Sequence, residues 1–369
     1  ATGQVLDQSV GLRETMDRCA RAFDWKRRYG AAGSGEGRGT RRHGVGMAVG
    51  WYRCRAGYAS EGCGANVYVH EDGSVLLYTG ITEMGQGAFT VLPQICAEAL
   101  GVNVEDIRLM PPDTDLVPES GPTVASRSTT LMGNAILMAV GEIRPSILEM
   151  AARMLSVPLE RLEAKNRYIY DRENPGRFVL FREAVAKCMA AGKRLIGQGW
   201  WTPPPATLDP ETGQGSPYFV YSYSTHMAEV AVDLETGKVE VTDYVAAYDV
   251  GKAINPQLVE GQIEGGVAMG VGFALMEEIV VKEGIIQNLG LEDFLIPTTL
   301  DVPPVRSIIV EHSNLQGPFG AKGIGEMANI PSAPAIINAI AHACGGRVRS
   351  LPADPEKVFR AIREGGALR

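Results

Sequence analysis

A single carboxylate at the end of a glycine-rich loop is the first candidate for chemistry in this sequence. The run Gly320-Ala-Lys-Gly-Ile-Gly-Glu326 carries three glycines in six residues and leads into residues 327–343, which have the apolar pattern of a helix. Glycines permit positive φ angles and a close approach of the backbone to a bulky ligand. Glu326 could therefore reach into a pocket as a general base. An ordinary loop, with the glutamate stabilised by the dipole of the following helix, explains the same residues equally well.

A second candidate is the loop Met84-Gly-Gln-Gly87, which stands at the start of a predicted helix. Free N–H groups and the helix dipole favour an anionic ligand at such a position. The amide of Gln86 can donate and accept in one plane, as the edge of a heteroaromatic ring or a phosphate requires. A plain turn is the somewhat more common use of Gly-Gln-Gly, so this signal is weak by itself.

A third candidate is the run Pro122-Thr-Val-Ala-Ser-Arg-Ser-Thr-Thr130, which places five hydroxyl side chains and one arginine ahead of the apolar residues 131–140. Arg127 offers a two-pronged donor for an oxyanion or a phosphate. An extended N-cap region would use the same serines and threonines. The spacing does not choose between these two interpretations.

Polar residues among glycines recur in the second half of the chain, at Gln262 and Glu264. The glycines that follow leave one side of a predicted helix almost without side chains, namely Gly265, Gly266, Gly270 and Gly272. Close packing of that helix explains the glycines but explains Gln262 less readily. Together, four glycine-flanked polar loops, one solitary glutamate and no set of metal ligands predict a pocket for a large polar cofactor attended by one general base.

Composition excludes several classes of protein. With 45% hydrophobic and 21% charged residues and a net charge of −8, the chain has the profile of a globular protein without general nucleic-acid binding. No apolar run approaches the length of a membrane span, and no signal peptide opens the sequence. The six cysteines are scattered without a C-x-x-C pair, which predicts a reducing cytoplasm and no iron–sulfur cluster or structural zinc held by this chain.

The chain divides by pattern into four parts. The first part, residues 1–55, contains an amphipathic helix and a glycine-rich linker over 30–40. It is followed by a first unit over 56–155, a connecting segment over 156–217 and a second unit over 218–369. Both units have the order strand, turn, strand, Gln/Gly loop, helix, strand. The first contains a tight turn at Asp72-Gly73, and the second ends with a strand near 279–282.

Paired strands with helices beside them predict an α+β fold rather than a doubly wound parallel sheet. Two repeated units of this kind often face one another across a ligand cleft. The start at Ala1, without an initiator methionine, predicts a chain that is processed, truncated or one piece of something larger.

These motifs resemble those of the molybdenum hydroxylases. The order and approximate spacing match for Thr82-Glu-Met-Gly-Gln-Gly87, Pro122-Thr-Val-Ala-Ser126, Asn255-Pro256 with Gly261-Gln-Ile-Glu-Gly265, and Ala321-Lys-Gly-Ile-Gly-Glu326. Over nearly its whole length, the chain is similar to the C-terminal half of the molybdopterin-binding large subunit of the xanthine dehydrogenase and aldehyde oxidase family. The family's upstream Gly-Gly-Phe-Gly-Gly loop and the equatorial Gln or Arg have no counterpart in this sequence. The resemblance therefore implies a companion chain with the N-terminal half, as in split members of the family, or a fragment.

The resemblance assigns roles to individual residues. Glu326 would be the general base of a water-derived hydroxylation. Contacts to the pyranopterin and its phosphate would come from Met84, Gly85, Gln86 and Gly87. The cofactor would be lined near the metal by Thr123, Val124, Ala125 and Ser126, with an anion site at Arg127 and Ser128. Gln262 would hydrogen-bond the pterin, and the molybdenum would be covered by Lys322, Gly323 and Ile324. In this family the metal is held through the pterin and not by side chains.

The implied cofactor is molybdopterin with molybdenum, mostly in the cytosine dinucleotide form in bacterial relatives. Electrons from a heterocycle or aldehyde-type substrate would leave through 2Fe-2S clusters and FAD on partner subunits. A catalytically silent scaffold or maturation subunit of such a complex is the alternative. Glu326 discriminates between the two, because a silent relative has little reason to retain it.

Overall fold

The computed structural model describes residues 2–31, 40–55 and 61–365, so most of the predicted linker over 30–40 lies outside the described residues. The helices are α1 (Leu12–Phe23), α2 (Trp25–Ala31), α3 (Ala88–Leu100), α4 (Gly133–Leu155), α5 (Phe181–Ala190), α6 (Pro256–Leu275), α7 (Ser332–Cys344) and α8 (Pro355–Gly365). The strands are β1 (Arg41–Arg53), β2 (Cys63–Val69), β3 (Val75–Thr79), β4 (Ile107–Leu109), β5 (Leu162–Lys165), β6 (Tyr168–Asp171), β7 (Asn174–Leu180), β8 (Ile196–Trp201), β9 (Thr207–Leu208), β10 (Gly215–Ser216), β11 (Tyr221–Asp233), β12 (Val239–Asp249), β13 (Val281–Lys282), β14 (Ile285–Ile286) and β15 (Val305–Val310). None of the helices in the described ranges combines the length and the apolar character that crossing a bilayer requires.

The chain forms two units whose boundaries differ from the four predicted parts. Unit 1 comprises residues 1–6, 53–220 and 313–323, and unit 2 comprises 7–52, 221–312 and 324–369. The amphipathic helix predicted in residues 1–55 belongs to unit 2, and the predicted connecting segment 156–217 belongs to unit 1. The amphipathic helix falls in unit 2 because β1, the next strand in the chain, is hydrogen-bonded into the sheet of that unit.

In unit 1 a four-stranded sheet has the order β4-β3-β2-β8. Strand β2 pairs antiparallel with β3 and β8, whereas β3 pairs parallel with β4. The Asp72-Gly73 turn joins β2 to β3 with Gly73 at φ +88°, as the hairpin prediction requires. A smaller antiparallel sheet of β5, β6 and β7 lies in the same unit.

Helix α4 lies directly on the backbone of β8. A Cβ atom built on Gly197 would come 2.0 Å from the carbonyl oxygen of Ala139, and one on Gly199 would come 1.9 Å from that of Ala135. Only glycine allows helix and strand to approach this closely. The Gly-x-Gly pattern of β8 is therefore a requirement of packing.

Unit 2 contains a second mixed sheet, of order β1-β11-β12-β15, which is buried on both faces. Alternate residues point to opposite sides, so Ala228 and Val230 pack with α6, α7 and α8, whereas Met227 and Val245 pack against α1. Burial on both faces accounts for the nearly unbroken run of buried residues in β11. The two mixed sheets with helices beside them confirm the α+β prediction.

The edge strand of unit 2 repeats the glycine packing of unit 1. Cβ atoms on Gly44 and Gly46 of β1 would come 2.2 Å from Ala339 O and 2.1 Å from Ala335 O of α7. The strand that pairs parallel with β12 is β15 and not the predicted strand near 279–282, where β13 forms only a two-residue hairpin with β14. The repeat is therefore present, with a long insertion before its last strand.

Candidate cofactor and catalytic site

In unit 1 the Gln86 loop is held by its own side chains. The Gln86 Oε1 atom accepts a hydrogen bond from the Met84 N–H at 2.7 Å, and its Nε2 donates to the Thr82 carbonyl at 2.9 Å. Gly85 and Gly87 take φ angles of +104° and +85°, which glycine adopts without strain. The amide that the sequence predicted to face a ligand thus stabilises the loop that precedes α3.

Sequence reasoning missed Glu83, which caps α3. Its carboxylate accepts hydrogen bonds from the N–H groups of Gly85, Gly87 and Phe89 at 2.8, 2.9 and 2.9 Å. Burial acts to raise the pKa of Glu83, but these N–H donors outweigh it and hold the pKa below its ordinary value. The anion at this helix N-terminus is the protein's own carboxylate, so the start of α3 is not an open phosphate site. An acidic residue just before a Gly-x-Gly helix start is the signal that could have revealed it.

The structure brings the loop at Thr82 and the segment at Thr123 together. The Thr123 hydroxyl oxygen accepts hydrogen bonds from the Thr82 N–H at 3.1 Å and from its hydroxyl at 3.0 Å. Ala125 and Ser126 then adopt left-handed φ angles of +55° and +48°, which non-glycine residues rarely do. A π-helical turn, Ser128–Met132, follows before α4. Strained backbone and π-helical turns both concentrate at functional sites.

Arg127 has a different role from the predicted one. Its guanidinium is 1% exposed and donates to the carbonyls of Ser120 at 2.6 Å, Pro122 at 2.9 Å and Glu61 at 3.1 Å. These bonds fasten the segment to the rest of unit 1, so the fork does not face a ligand. The Nε atom of Arg127 and the buried hydroxyl of Thr130 have no hydrogen-bond partner among the described residues.

The first part of the loop that leads to Glu326 lies against the same segment of unit 1. A Cβ atom on Gly323 would come 1.6 Å from the Ser126 carbonyl oxygen, so the two backbones are in direct contact. The Cys54 thiol donates to the Gly323 carbonyl at 3.3 Å, and Lys322 is buried. Three of the predicted segments therefore meet in unit 1.

Glu326 itself belongs to unit 2, because the chain passes from one unit to the other between Gly323 and Ile324. It opens a 3-10 turn, Glu326–Ala328, and is half-buried. The helix predicted from residue 327 begins only at Ser332, since Pro331 disfavours helical backbone at the residue before it. Met327 is fully buried and its sulfur accepts a hydrogen bond from the Ser224 hydroxyl at 2.9 Å, which anchors the turn.

Gln262 lies inside α6 and not on a loop, so the predicted loop over 260–266 is wrong. The helix begins earlier, where the Asn255 side chain caps the Leu258 N–H at 3.1 Å and Pro256 occupies the first turn. The packing role predicted for the glycines is confirmed at Gly266, where an added Cβ would come 2.4 Å from Ala328. Gln262 is half-buried one turn before it.

No group of three or more His, Cys, Asp or Glu side chains in the described part of the chain is arranged to hold a metal ion. The predicted segments of unit 1 instead bring main-chain groups and hydroxyls together on conformationally special loops. Such a constellation suits a large organic cofactor better than a directly ligated ion.

Comparison with known proteins identifies the class. The family model for the molybdopterin cofactor-binding domain matches residues 18–303. The chain belongs to this family, and within it to the xanthine dehydrogenase and aldehyde oxidoreductase group.

Individual relatives agree with this assignment. The xanthine dehydrogenase molybdenum-binding subunit of Escherichia coli O157:H7 is 31% identical over 98% of this chain and 47% of its own length. Quinoline 2-oxidoreductase from Pseudomonas putida 86 has a TM-score of 0.84 at 27% identity, covering 96% of this chain and 46% of that structure. Aldehyde oxidoreductase from Desulfovibrio desulfuricans has a TM-score of 0.78 at 34% identity, covering 98% and 36%. The chain thus spans less than half the length of each of these relatives.

Proposed function

We propose that this chain is the molybdopterin-binding, catalytic portion of a molybdenum hydroxylase that oxidises a heterocycle or an aldehyde-type substrate, with Glu326 as the general base. The observation that carries the proposal is the convergence, in unit 1, of the loop at Thr82, the segment at Thr123–Ser126 and Gly323. These are the motifs that the family resemblance assigns to the cofactor.

The residues present fit a large polar ligand. Gly85 has nothing within 4 Å of the position of an added Cβ, and the neighbouring Met84 is 66% exposed. Ala125 and Ser126 have left-handed backbone, and the buried Thr130 hydroxyl has no hydrogen-bond partner among the described residues. The cytosine dinucleotide form of the cofactor is the one we propose.

When bound, the molybdenum cofactor would supply the water-derived oxygen and accept the electron pair removed from the substrate. The chain's own task would be to orient the reactants and to move one proton. The Glu326 carboxylate would accept that proton at a carboxylate oxygen, because a fixed base in hydrogen-bonding reach accelerates such a transfer. Met327, buried in the core, would keep the carboxylate from swinging away.

Companion polypeptides complete the proposal. The segment between α6 and β15 exposes many large apolar side chains, including Leu289 at 84%, Leu291 at 69% and Leu300 at 95%. Apolar surface concentrated in this way marks a binding interface. We propose that it contacts the part of the molybdenum subunit that this chain does not span, and that 2Fe-2S and FAD subunits carry the electrons onward.

The test is a comparison of Glu326→Gln with Glu235→Gln in the complete assembly purified from its native host. Glu235 lies in an exposed turn of unit 2 and serves as the matched control. We expect both variants to retain molybdenum and pterin, whereas Glu326→Gln lowers turnover by ~10² to 10⁴. An assembly without molybdenum would refute the enzyme and favour the scaffold or maturation subunit. Parental turnover by Glu326→Gln would remove the assigned base.

A further inference from the structure

A fully buried imidazole lies between two tyrosine hydroxyls in the core of unit 2. His226 on β11 has its Nδ1 atom 2.8 Å from the Tyr244 hydroxyl, and its Nε2 atom is hydrogen-bonded to the Tyr248 hydroxyl. Both tyrosines lie on β12 and are fully buried. No chemistry in the proposed function uses these three side chains.

The direction of these hydrogen bonds follows from the Ala328 carbonyl, which can only accept. The Tyr248 hydroxyl donates to the Ala328 carbonyl at 2.9 Å, so its oxygen must accept the proton on His226 Nε2. Nδ1 is then an acceptor and takes the Tyr244 hydroxyl proton. Burial lowers the pKa of His226 to about 3 and raises those of both tyrosines, so all three groups stay neutral at pH 7.

This chain of hydrogen bonds ends on the turn that carries Glu326. Ala328 is the last residue of the Glu326–Ala328 turn, and its carbonyl also lies 3.4 Å from the Ser332 hydroxyl. On its other side Ala328 lies against Gly266 of α6. An apolar core would hold the sheet together without the cost of burying these polar groups. What the polar chain adds is a directional tie between β12 and the turn.

We propose that His226 and Tyr248 are positioning residues that fix the Glu326 turn to the sheet, an inference that rests on the proposed role of Glu326. His226 orients the Tyr248 hydroxyl, and that hydroxyl holds the Ala328 carbonyl. Loss of this tie would let the Glu326 carboxylate depart from its productive geometry without removing it.

The test compares Tyr248→Phe with Tyr244→Phe in the complete assembly. Each variant deletes one buried hydroxyl from β12. The Tyr248 hydroxyl is hydrogen-bonded to Ala328 of the turn, whereas that of Tyr244 is hydrogen-bonded to His226, where the Ser332 hydroxyl at 3.3 Å from Nδ1 can replace it. We expect Tyr248→Phe to lower kcat by ~10-fold or more at unchanged KM and molybdenum content, measured with the best of xanthine, quinoline and benzaldehyde. Backbone hydrogen exchange in residues 324–331 should become faster in this variant alone.

A second pair of variants separates positioning from folding. His226→Gln keeps an N–H donor for Tyr248 and should retain more turnover and slower exchange than His226→Leu. Equal kcat and equal exchange in the two tyrosine variants, or no advantage of Gln over Leu, would overturn the inference. If Glu326→Gln keeps full activity, the proposed base fails, while the exchange comparison still decides whether the turn is tied to Tyr248.

Discussion

Unit 1 and unit 2 build the same sheet from chain segments in a different order. The edge strand β8 follows its three partners in sequence, whereas the edge strand β1 precedes its partners. Both nevertheless carry Gly-x-Gly and both lie on a helix with alanines one turn apart. Backbone-to-backbone packing is therefore what the units share, because it demands glycine at this edge wherever the strand originates in the chain.

The two units differ in how they support their polar residues. In unit 1, Glu83 and Gln86 stabilise a half-exposed loop through bonds to nearby main chain. In unit 2, His226 and Tyr248 support the Glu326 turn from the buried core. In the proposed function, local bonds shape the loop that would bind the cofactor, whereas the carboxylate that would act as base is supported by the tertiary structure.

The largest expected effect comes from filling the shared glycine contacts. In Gly199→Ala and Gly46→Ala the new methyl group would lie 1.9 Å from Ala135 O and 2.1 Å from Ala335 O, so helix and strand must separate. We expect each variant to lose ~3 kcal/mol of unfolding free energy or to fail to fold. Thermal unfolding measures the loss, and a parental melting temperature in one variant would show that the units do not share this packing.

Smaller effects should distinguish the helix caps of the two units. Glu83→Gln weakens the cap of α3, and Asn255→Ala removes the cap of α6. We expect each change to lower the free energy of unfolding by about 1 kcal/mol near pH 7. Because the pKa of Glu83 lies below the ordinary 4.5, its contribution is present above pH 4.5 and is lost as the pH falls through the folded-state pKa. Urea unfolding at pH 7 and at several pH values below 4.5 should show the penalty shrinking for Glu83→Gln only, and only below pH 4.5. A penalty independent of pH would contradict the ionised cap.

The smallest effect is expected at Gly141, a helical glycine with room for a methyl group, and Gly270 serves as its contrast. Gly141 of α4 has open space where a Cβ would lie, whereas a Cβ on Gly270 of α6 would come 2.0 Å from Ser332 Cβ. We expect Gly141→Ala to stabilise the protein by about 0.5–1 kcal/mol. Gly270→Ala, whose contact is as short as those of Gly199 and Gly46, should destabilise it by ~3 kcal/mol. Chemical denaturation of both variants measures the contrast, which would vanish if α6 had room at Gly270.

Where the sequence misled, the missing information was which partner each polar group takes, whether that partner is near or far in the chain. A glutamine that follows a glycine occurs in both halves, yet Gln86 lies on a loop and Gln262 inside α6, because Asn255 and Pro256 start that helix earlier. Arg127 carries a fork suited to anions, but its Nη1 and Nη2 atoms donate to three carbonyls of its own unit. No local sequence pattern around His226 predicts that two tyrosines of the next strand form hydrogen bonds to it.

The sequence by itself determined the α+β class, the hairpin at Asp72-Gly73, the family and the position of Glu326 in the chain. Turn residues, strand alternation and short motifs are local features, so they can be recognised in the sequence without knowledge of the fold. Only the tertiary structure decided that β15 completes the sheet of unit 2, that Gly323 lies on Ser126, and that Tyr248 holds the turn of Glu326. Those contacts depend on packing between segments distant in sequence, which no local pattern encodes.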